Sequence, residues 1–375
     1  MDLTVTPLVE MMMVAKSFVK ANKELSFSYD ESTFIASLQA ENFLLTRTAF
    51  GLVNGSSFTV NARKLLEIAN TLETDIIKLT VEDAWLTLSV KRSKYKIQQL
   101  ELPLKMDFPK PCHSEFSLSR SDTNLLEGMS KSANQHDFRE AMQSVIIESR
   151  EGYLSFVTTN GHVLVVGEKE NNDDHFSSPL ILPKAMVGGL KKLASYSDRI
   201  NIKLGEDHLT VVGQDISIHV PRILTATPNW RPFLSLTYDC IGELPFNLND
   251  SVKLAMTVID KGDTKNKLTT PLRLTSDNLT LKLELDTSIN HFDKLLDAVV
   301  DESKSTVSVV ELESPRLKDF TLVMNPIYLK DALTHLISHG GGKSKVTMHL
   351  NAKEQLFRMQ SENNLNYFIK VALKR

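Results

Sequence analysis

The sequence predicts an α+β chain built from three repeated domains, with helices in an inner layer and antiparallel strands in an outer one. Two observations predict it. Three segments share one plan: "FTVNARKLLEIANTLETDIIKLTVEDAWLTLSV" from Phe58, "LILPKAMVGGLKKLASYSDRINIKLGEDHLTVVG" from Leu180 and "LVMNPIYLKDALTHLISHGGGKSKVTMHLNAKEQLFRMQ" from Leu322. They lie roughly 120 to 140 residues apart, which is the spacing of domains and not of small solenoid repeats. A second series pairs a strand with a helix ahead of each copy: "LTVTPLVEMMMVAKSFV" from Leu3, "FSLSRSDTNLLEGMSKSA" from Phe116 and "FNLNDSVKLAMTVID" from Phe246. The predicted domains are 1–113, 114–240 and 241–375.

Each copy of the first series opens with a short apolar strand that ends at Asn or Pro, both helix-start signals. Leucines at three- and four-residue spacing then give a helix with one apolar face. A polar break, an alternating strand, a turn and another alternating strand complete the copy. With the second series, each domain reads as two strand–helix–strand–strand–strand halves. Six helices then face one way.

At 375 residues the chain is too long for one core. A hydrophobic fraction of 42% with 24% charged residues belongs to a folded chain. The net charge of −3 gives no global basic field, so any nucleic-acid binding must come from local placement of cations. Cys112 and Cys240 form no CxxC pair, which predicts a reduced compartment and no structural zinc. No run approaches the ~20 apolar residues of a membrane span. The start carries an acid, with Glu10 and Lys16 inside its apolar part, unlike a secretory leader. The expectation is a cytoplasmic protein without membrane, metal or cofactor.

Enzyme signals are weak. "SHGGGKS" (338–344) lacks a phosphate loop's first glycine, since Ile337 holds that place, and it follows a helix; it reads as a glycine C-cap and loop. "ENNDDH" (170–175) reads as an acidic loop. Neither GxSxG nor HExxH occurs.

The helices carry an unusual charge pattern for an acidic chain. Lys16 and Lys20 lie on the first, Arg63 and Lys64 on the second, Arg120 and Lys131 on the third. Lys184, Lys191 and Lys192 follow on the fourth, Lys253 on the fifth, and Lys330 with His335 and His339 on the sixth. Helices pack ~9 Å apart, so twelve in a circle need a circumference of roughly 110 Å. Subtracting a helix thickness leaves a hole of about 24 Å, wide enough for duplex DNA. Six helices reach half-way round, so a closed ring needs two chains.

One short stretch stands apart. "FVTTNGHVLVV" (156–166) is two apolar runs joined by Asn-Gly, the signal of a hairpin with a tight primed turn. A histidine, His162, stands where the second strand is expected to start.

These residues together carry a resemblance. "FTVNARKLLEI" (58–68), "KYKIQQLELPLKMDFP" (94–109), "TTNGHVLVV" (158–166), "LPKAMVGGLKKL" (182–193) and "MNPIYLKDAL" (324–333) resemble the bacterial β sliding clamps, rings that tether the replicative DNA polymerase to its template. The resemblance spans the chain, and the order and spacing of the motifs carry it. It implies the DNA-clamp fold and a head-to-tail homodimeric ring. Lys64, Ile68 and Tyr95 of the first domain would meet Val258 and Ile259 of the third.

The implied partners are double-stranded DNA, held without sequence preference, the catalytic subunit of a replicative polymerase, a clamp loader and other proteins with clamp-binding motifs. The implied DNA-facing residues are Lys16, Lys20, Lys23, Arg63, Arg120, Arg139, Lys191 and Lys192. Asn22 and Lys23 replace the family's small basic loop. Asp137 and Arg139 match its inner-surface loop, whereas Glu140 and Ala141 stand where aromatic DNA contacts are expected.

The hairpin histidine gains a role by the same match. Thr159, Gly161, His162, Val163 and Leu164 would form one wall of a pocket for a partner's short peptide motif. Met142, Pro228, Phe233, Asn325, Tyr328 and Val371 would complete it. Gly161 lets a peptide approach the backbone, aliphatic groups bury its anchors, and His162 and Asn325 supply directional hydrogen bonds.

The chain departs from the family in three places. Val163 and Pro232 sit where arginines are usual, so acidic flanks on a peptide should help less. The tail reads "KVALKR" in place of a methionine-containing end. "NHFDKLLDAVVDESK" (290–304) reads as an acidic amphipathic insertion, either a solvated helix or a partner-specific element. Two alternatives stay open: a divergent clamp serving a dedicated polymerase or acting as a decoy, and a peptide-binding scaffold that does not hold DNA.

Overall fold

The computed structural model describes residues 2–15, 24–30, 33–40, 43–48, 58–71, 76–101, 113–134, 137–150, 152–171, 176–245, 247–259, 270–277, 279–289, 291–304, 306–313, 317–339 and 345–373. Within them the strand–helix–strand–strand–strand plan occurs six times. Its helices are Val5–Ala15, Ala62–Asn70, Arg120–Ser130, Lys184–Leu193, Leu248–Ala255 and Pro326–His339.

Their starts follow from the residues the sequence puts there. Asn61 Oδ1 accepts the backbone N–H of Lys64 at 3.1 Å, and Asn325 Oδ1 accepts that of Ile327 at 2.9 Å. Pro183 precedes Lys184. Ser119 and Asp122 form a capping box, in which each side chain accepts the other's backbone N–H, at 3.2 Å and 2.7 Å. The periodic leucines face inward: Leu65, Leu126, Leu190, Leu193, Leu329, Leu333 and Leu336 are all buried.

The chain folds into two compact units: Met1–Glu127 with Asn172–Leu224, and Gly128–Asn171 with Thr225–Arg375. Neither unit coincides with a predicted domain. In the first, strands Phe58–Asn61, Glu24–Asp30, Thr33–Ala40, Phe43–Thr48, Ile216–Pro221, His208–Gly213, Arg199–Leu204 and Ser114–Ser119 make one sheet in that spatial order. Its middle seam pairs Arg47 with Ile216 and Leu44 with His219, so the sheet continues across the predicted boundary at 113. The unit also holds a four-stranded sheet, Asp2–Thr4, Ile76–Glu82, Trp85–Val90 and Ser93–Gln98.

Arg47 ties the first helix to the large sheet. Its side chain is 5% exposed and donates to Pro7 O at 2.6 Å, Glu10 Oε2 at 2.8 Å and Asp215 Oδ2 at 2.8 Å. A buried guanidinium survives only with partners of this kind.

In the second unit, strands Ser144–Arg150, Tyr153–Thr159, Val163–Glu170, Leu365–Lys370, Leu356–Ser361, Val346–Asn351 and Asp239–Glu243 run side by side in that order. Cross-strand partners share a face. Thr159, Leu164, Phe368, Arg358 and His349 are partners in succession, so they form one row on one face. Tyr367 and Ile369 point to the other face, where Tyr367 meets helix Pro326–His339 with its hydroxyl 2.5 Å from His335 Nδ1.

The remaining sheet is Val307–Glu313, Thr280–Asp286, Leu272–Ser276, Phe320–Met324 and Ala372–Leu373. The segment expected to be an acidic insertion forms helix Phe292–Asp297. It is docked on its own unit: Leu295 is fully buried, and Arg273 Nη1 donates to Leu295 O at 2.8 Å and Ala298 O at 2.7 Å. Residues 340–344 of the glycine run and 172–175 of the acidic loop lie outside the described residues.

Candidate peptide-binding site

The site starts from the hairpin, and its turn differs from the predicted one. A type I′ turn centred on Asn-Gly needs positive φ at both central residues. Only Gly161 has it, at φ +86°. The last strand pair is Thr159 with Leu164, and the second strand begins at Val163, so His162 belongs to the turn.

Asn160 organises that turn through its side chain. Its Oδ1 accepts the backbone N–H of His162 at 2.9 Å and of Val163 at 2.8 Å. Thr159 Oγ1 donates to Val163 O at 2.7 Å and accepts from Gly161 N–H at 3.1 Å. The amide nitrogen of Asn160 is left to donate to the Tyr328 hydroxyl, whose pKa burial nonetheless raises. The rings of His162 and Tyr328 stack at 6.3 Å between centroids.

The opposite wall comes from the segment around helix Arg231–Ser235. Trp230 is 3% exposed, and its Nε1 donates to Glu148 Oε1 at 3.2 Å. Arg231 Nη2 donates to Glu148 Oε2 at 2.6 Å while its guanidinium lies 4.7 Å from the Trp230 ring centroid. Tyr238 donates its hydroxyl to Phe233 O at 3.1 Å, and burial pushes its pKa up to about 12. Phe368 packs between Phe233 and Tyr238, at 6.4 Å and 5.9 Å, with Arg358 5.4 Å from the Tyr238 and Phe368 ring centroids. Burial lowers the Arg358 pKa, and Asn366 Oδ1 accepts from its Nε and Nη2 at 3.1 Å and 2.8 Å.

Between these walls lies a cavity of about 390 Å³. Of the predicted pocket residues, Met142, Thr159, Gly161, His162, Val163, Leu164, Pro228 and Phe233 line it. Asn325, Tyr328 and Val371 do not: Asn325 caps its helix, Tyr328 backs His162, and Val371 is 4% exposed. Sequence reasoning missed Asn229, Trp230, Leu236, Glu354, Leu356, Phe368 and Lys370. Arg139, grouped above with the DNA-facing residues, also lines the cavity. The interior is apolar with a few polar groups converging at its edge, a form that suits one or two apolar side chains of an extended peptide.

The other candidate residues are placed as follows. Lys16, Lys20 and Lys23 lie outside the described residues. Arg63 pairs with Glu67 at 2.8 Å, and Lys191 pairs with Glu127. Arg120 and Lys192 are exposed and make no ion pair among the described residues. Lys64 is exposed, while Ile68, Val258 and Tyr95 are half-buried; Tyr95 sits on the edge strand Ser93–Gln98. Ile259 is 4% exposed.

This architecture is that of the DNA sliding clamps. The chain is 22% identical over 376 residues to the β sliding clamp of Buchnera aphidicola subsp. Rhopalosiphum padi, with 94% of each chain covered. Its fold is similar to that of the DNA polymerase III subunit beta from Pseudomonas aeruginosa, with TM-score 0.81, 18% identity, and 100% of this chain and 99% of that one covered. It is equally similar to the Helicobacter pylori β clamp bound to a DNA ligase peptide, with TM-score 0.81, 15% identity and the same coverage. No family model matches the chain.

Proposed function

We propose that the chain is a sliding clamp, a processivity factor that encircles duplex DNA and tethers a replicative polymerase and other proteins through the cavity beside His162. The observation that carries this reading is the clamp fold over the full chain, combined with an apolar cavity assembled at the predicted hairpin. The protein acts in the cytosol by holding partners on DNA, without catalysis. Its three domains are the sequence repeats 1–113, 114–240 and 241–375, and a clamp loader opens the ring.

The ring is a head-to-tail homodimer. Two edge strands support this: Ser93–Gln98 exposes Lys94 and Lys96, and Val307–Glu313 exposes Glu311 and Glu313. Edges of opposite charge that have no further strand partner among the described residues suit pairing between two copies. The exposed Arg120 and Lys192 supply phosphate contacts that carry no sequence information.

Light scattering coupled to size exclusion tests closure. The expected mass is twice the 42.1 kDa chain. A monomer that persists at tens of micromolar would remove the spontaneously closed ring.

A further inference from the structure

We propose that Lys370 determines which peptides the cavity accepts, by pairing with a carboxylate carried beside the apolar anchors. The inference rests on the reading of the cavity as a peptide site and adds the class of peptide it prefers.

The charges around the cavity are not equivalent. Arg139 is committed to Asp137, through Nε to Oδ1 at 2.9 Å and Nη2 to Oδ2 at 2.8 Å. Arg231, behind Trp230, is committed to Glu148. Lys370 lines the cavity, is exposed, and makes no ion pair among the described residues.

Its backbone is nevertheless fixed. Lys370 N–H donates to His162 O at 2.9 Å, and the residue is the strand partner of Leu356. The result is an ammonium without an ion-pair partner among the described residues, on a flexible stem rooted beside His162 at the edge of an apolar cavity. Glu354 is the carboxylate among the lining residues, and it forms no ion pair with Lys370. An acidic peptide group is therefore attracted toward Lys370 and repelled from Glu354, so the two charges also orient the peptide.

The probe is a neutral, end-blocked pentapeptide with Leu and Phe anchors, in three forms: as it stands, with one serine replaced by aspartate, and with a free C-terminal carboxylate. Each is titrated by calorimetry into wild type, Lys370→Gln and Lys370→Glu. Wild type should bind at least one carboxylate form about threefold to fivefold more tightly than the neutral form, as an exposed ion pair allows. Which form gains separates a side-chain acid from a chain terminus. Lys370→Gln should erase the difference between the carboxylate and neutral forms, each compared within the same variant, and Lys370→Glu should reverse it. Equal binding of all three forms to wild type, or a preference that survives Lys370→Gln, overturns the inference while the pocket stands. Failure of every peptide to bind wild type overturns the pocket itself.

Discussion

The imidazole of His162 and the phenol of Tyr328 lie nearly parallel, with 17° between their planes. Asn160 joins them, holding the turn with its oxygen and the Tyr328 hydroxyl with its nitrogen. Tyr328→Ala removes both the stack and this anchor, so peptide affinity should fall about tenfold, near the upper worth of an aromatic pair. Tyr328→Phe keeps the stack and should lose less. Calorimetric titration separates the two; unchanged affinity in Tyr328→Ala would detach the tyrosine from the site.

Gly161 gives a sharper probe of the turn. A Cβ placed there meets no protein atom within 4 Å, so Gly161→Ala creates no clash. Its φ of +86° is the difficulty, with a cost of about 1–2 kcal/mol for a residue with a side chain. Relieving that strain moves His162. Peptide binding should weaken severalfold while the thermal midpoint shifts little, because the turn lies at the end of its hairpin. Wild-type affinity in Gly161→Ala would show that the turn's conformation is irrelevant to binding.

Helix Arg120–Ser130 depends on a different glycine. A Cβ at Gly128 would lie 2.1 Å from the ring of His335, which is buried against Tyr367. Gly128→Ala should therefore destabilise the fold by about 1–3 kcal/mol, as overpacking does, despite alanine's better helix propensity. Combining it with His335→Ala should recover part of that loss. Urea unfolding of the single and double variants measures the coupling; strictly additive effects would contradict the contact.

How much was legible follows from where the signals lie. Three of the repeated helices were readable because leucine spacing and the residues Asn61, Pro183 and Asn325 at their starts are local in sequence, and the other three because a strand–helix pair recurs ahead of each copy. The hairpin was readable too, but its turn was not. The Asn-Gly signal implies two residues at positive φ, whereas the Asn160 side chain satisfies the turn's N–H groups instead. Phe368 and Lys370 were missed because only pairing between strands Val163–Glu170 and Leu365–Lys370 brings them to the hairpin, and no local pattern records that pairing. The compact units cut across the sequence repeats for the same reason, since the seam between Arg47 and Ile216 joins different repeats.

Acid should weaken the fold earlier than carboxylates alone would. Burial lowers the pKa of His219, helped by the charge of His208, and burial also lowers that of His349, helped by Arg358. Both are held below the ordinary 6.5. The unfolded chain then binds more protons than the folded one just below that value. Their contribution is fully present above pH 6.5 and is lost as pH falls through the depressed values. Urea midpoints between pH about 7.5 and 5 should decline, and His219→Asn, which retains a partner for Thr210, should flatten the decline. An unchanged slope in His219→Asn would assign the acid sensitivity to other groups.

The central claim is that the protein holds DNA by topology. Cations on helices can meet phosphates, but escape from a closed ring requires opening an interface, and counterion release does not accomplish that. The deciding measurement is retention after loading onto nicked circular DNA, followed through a rise in salt and then linearisation. The account predicts that the protein stays on the circle at salt that strips ordinary phosphate contacts and leaves once the DNA is cut. Equal loss from circular and linear DNA would contradict it and leave only electrostatic adsorption.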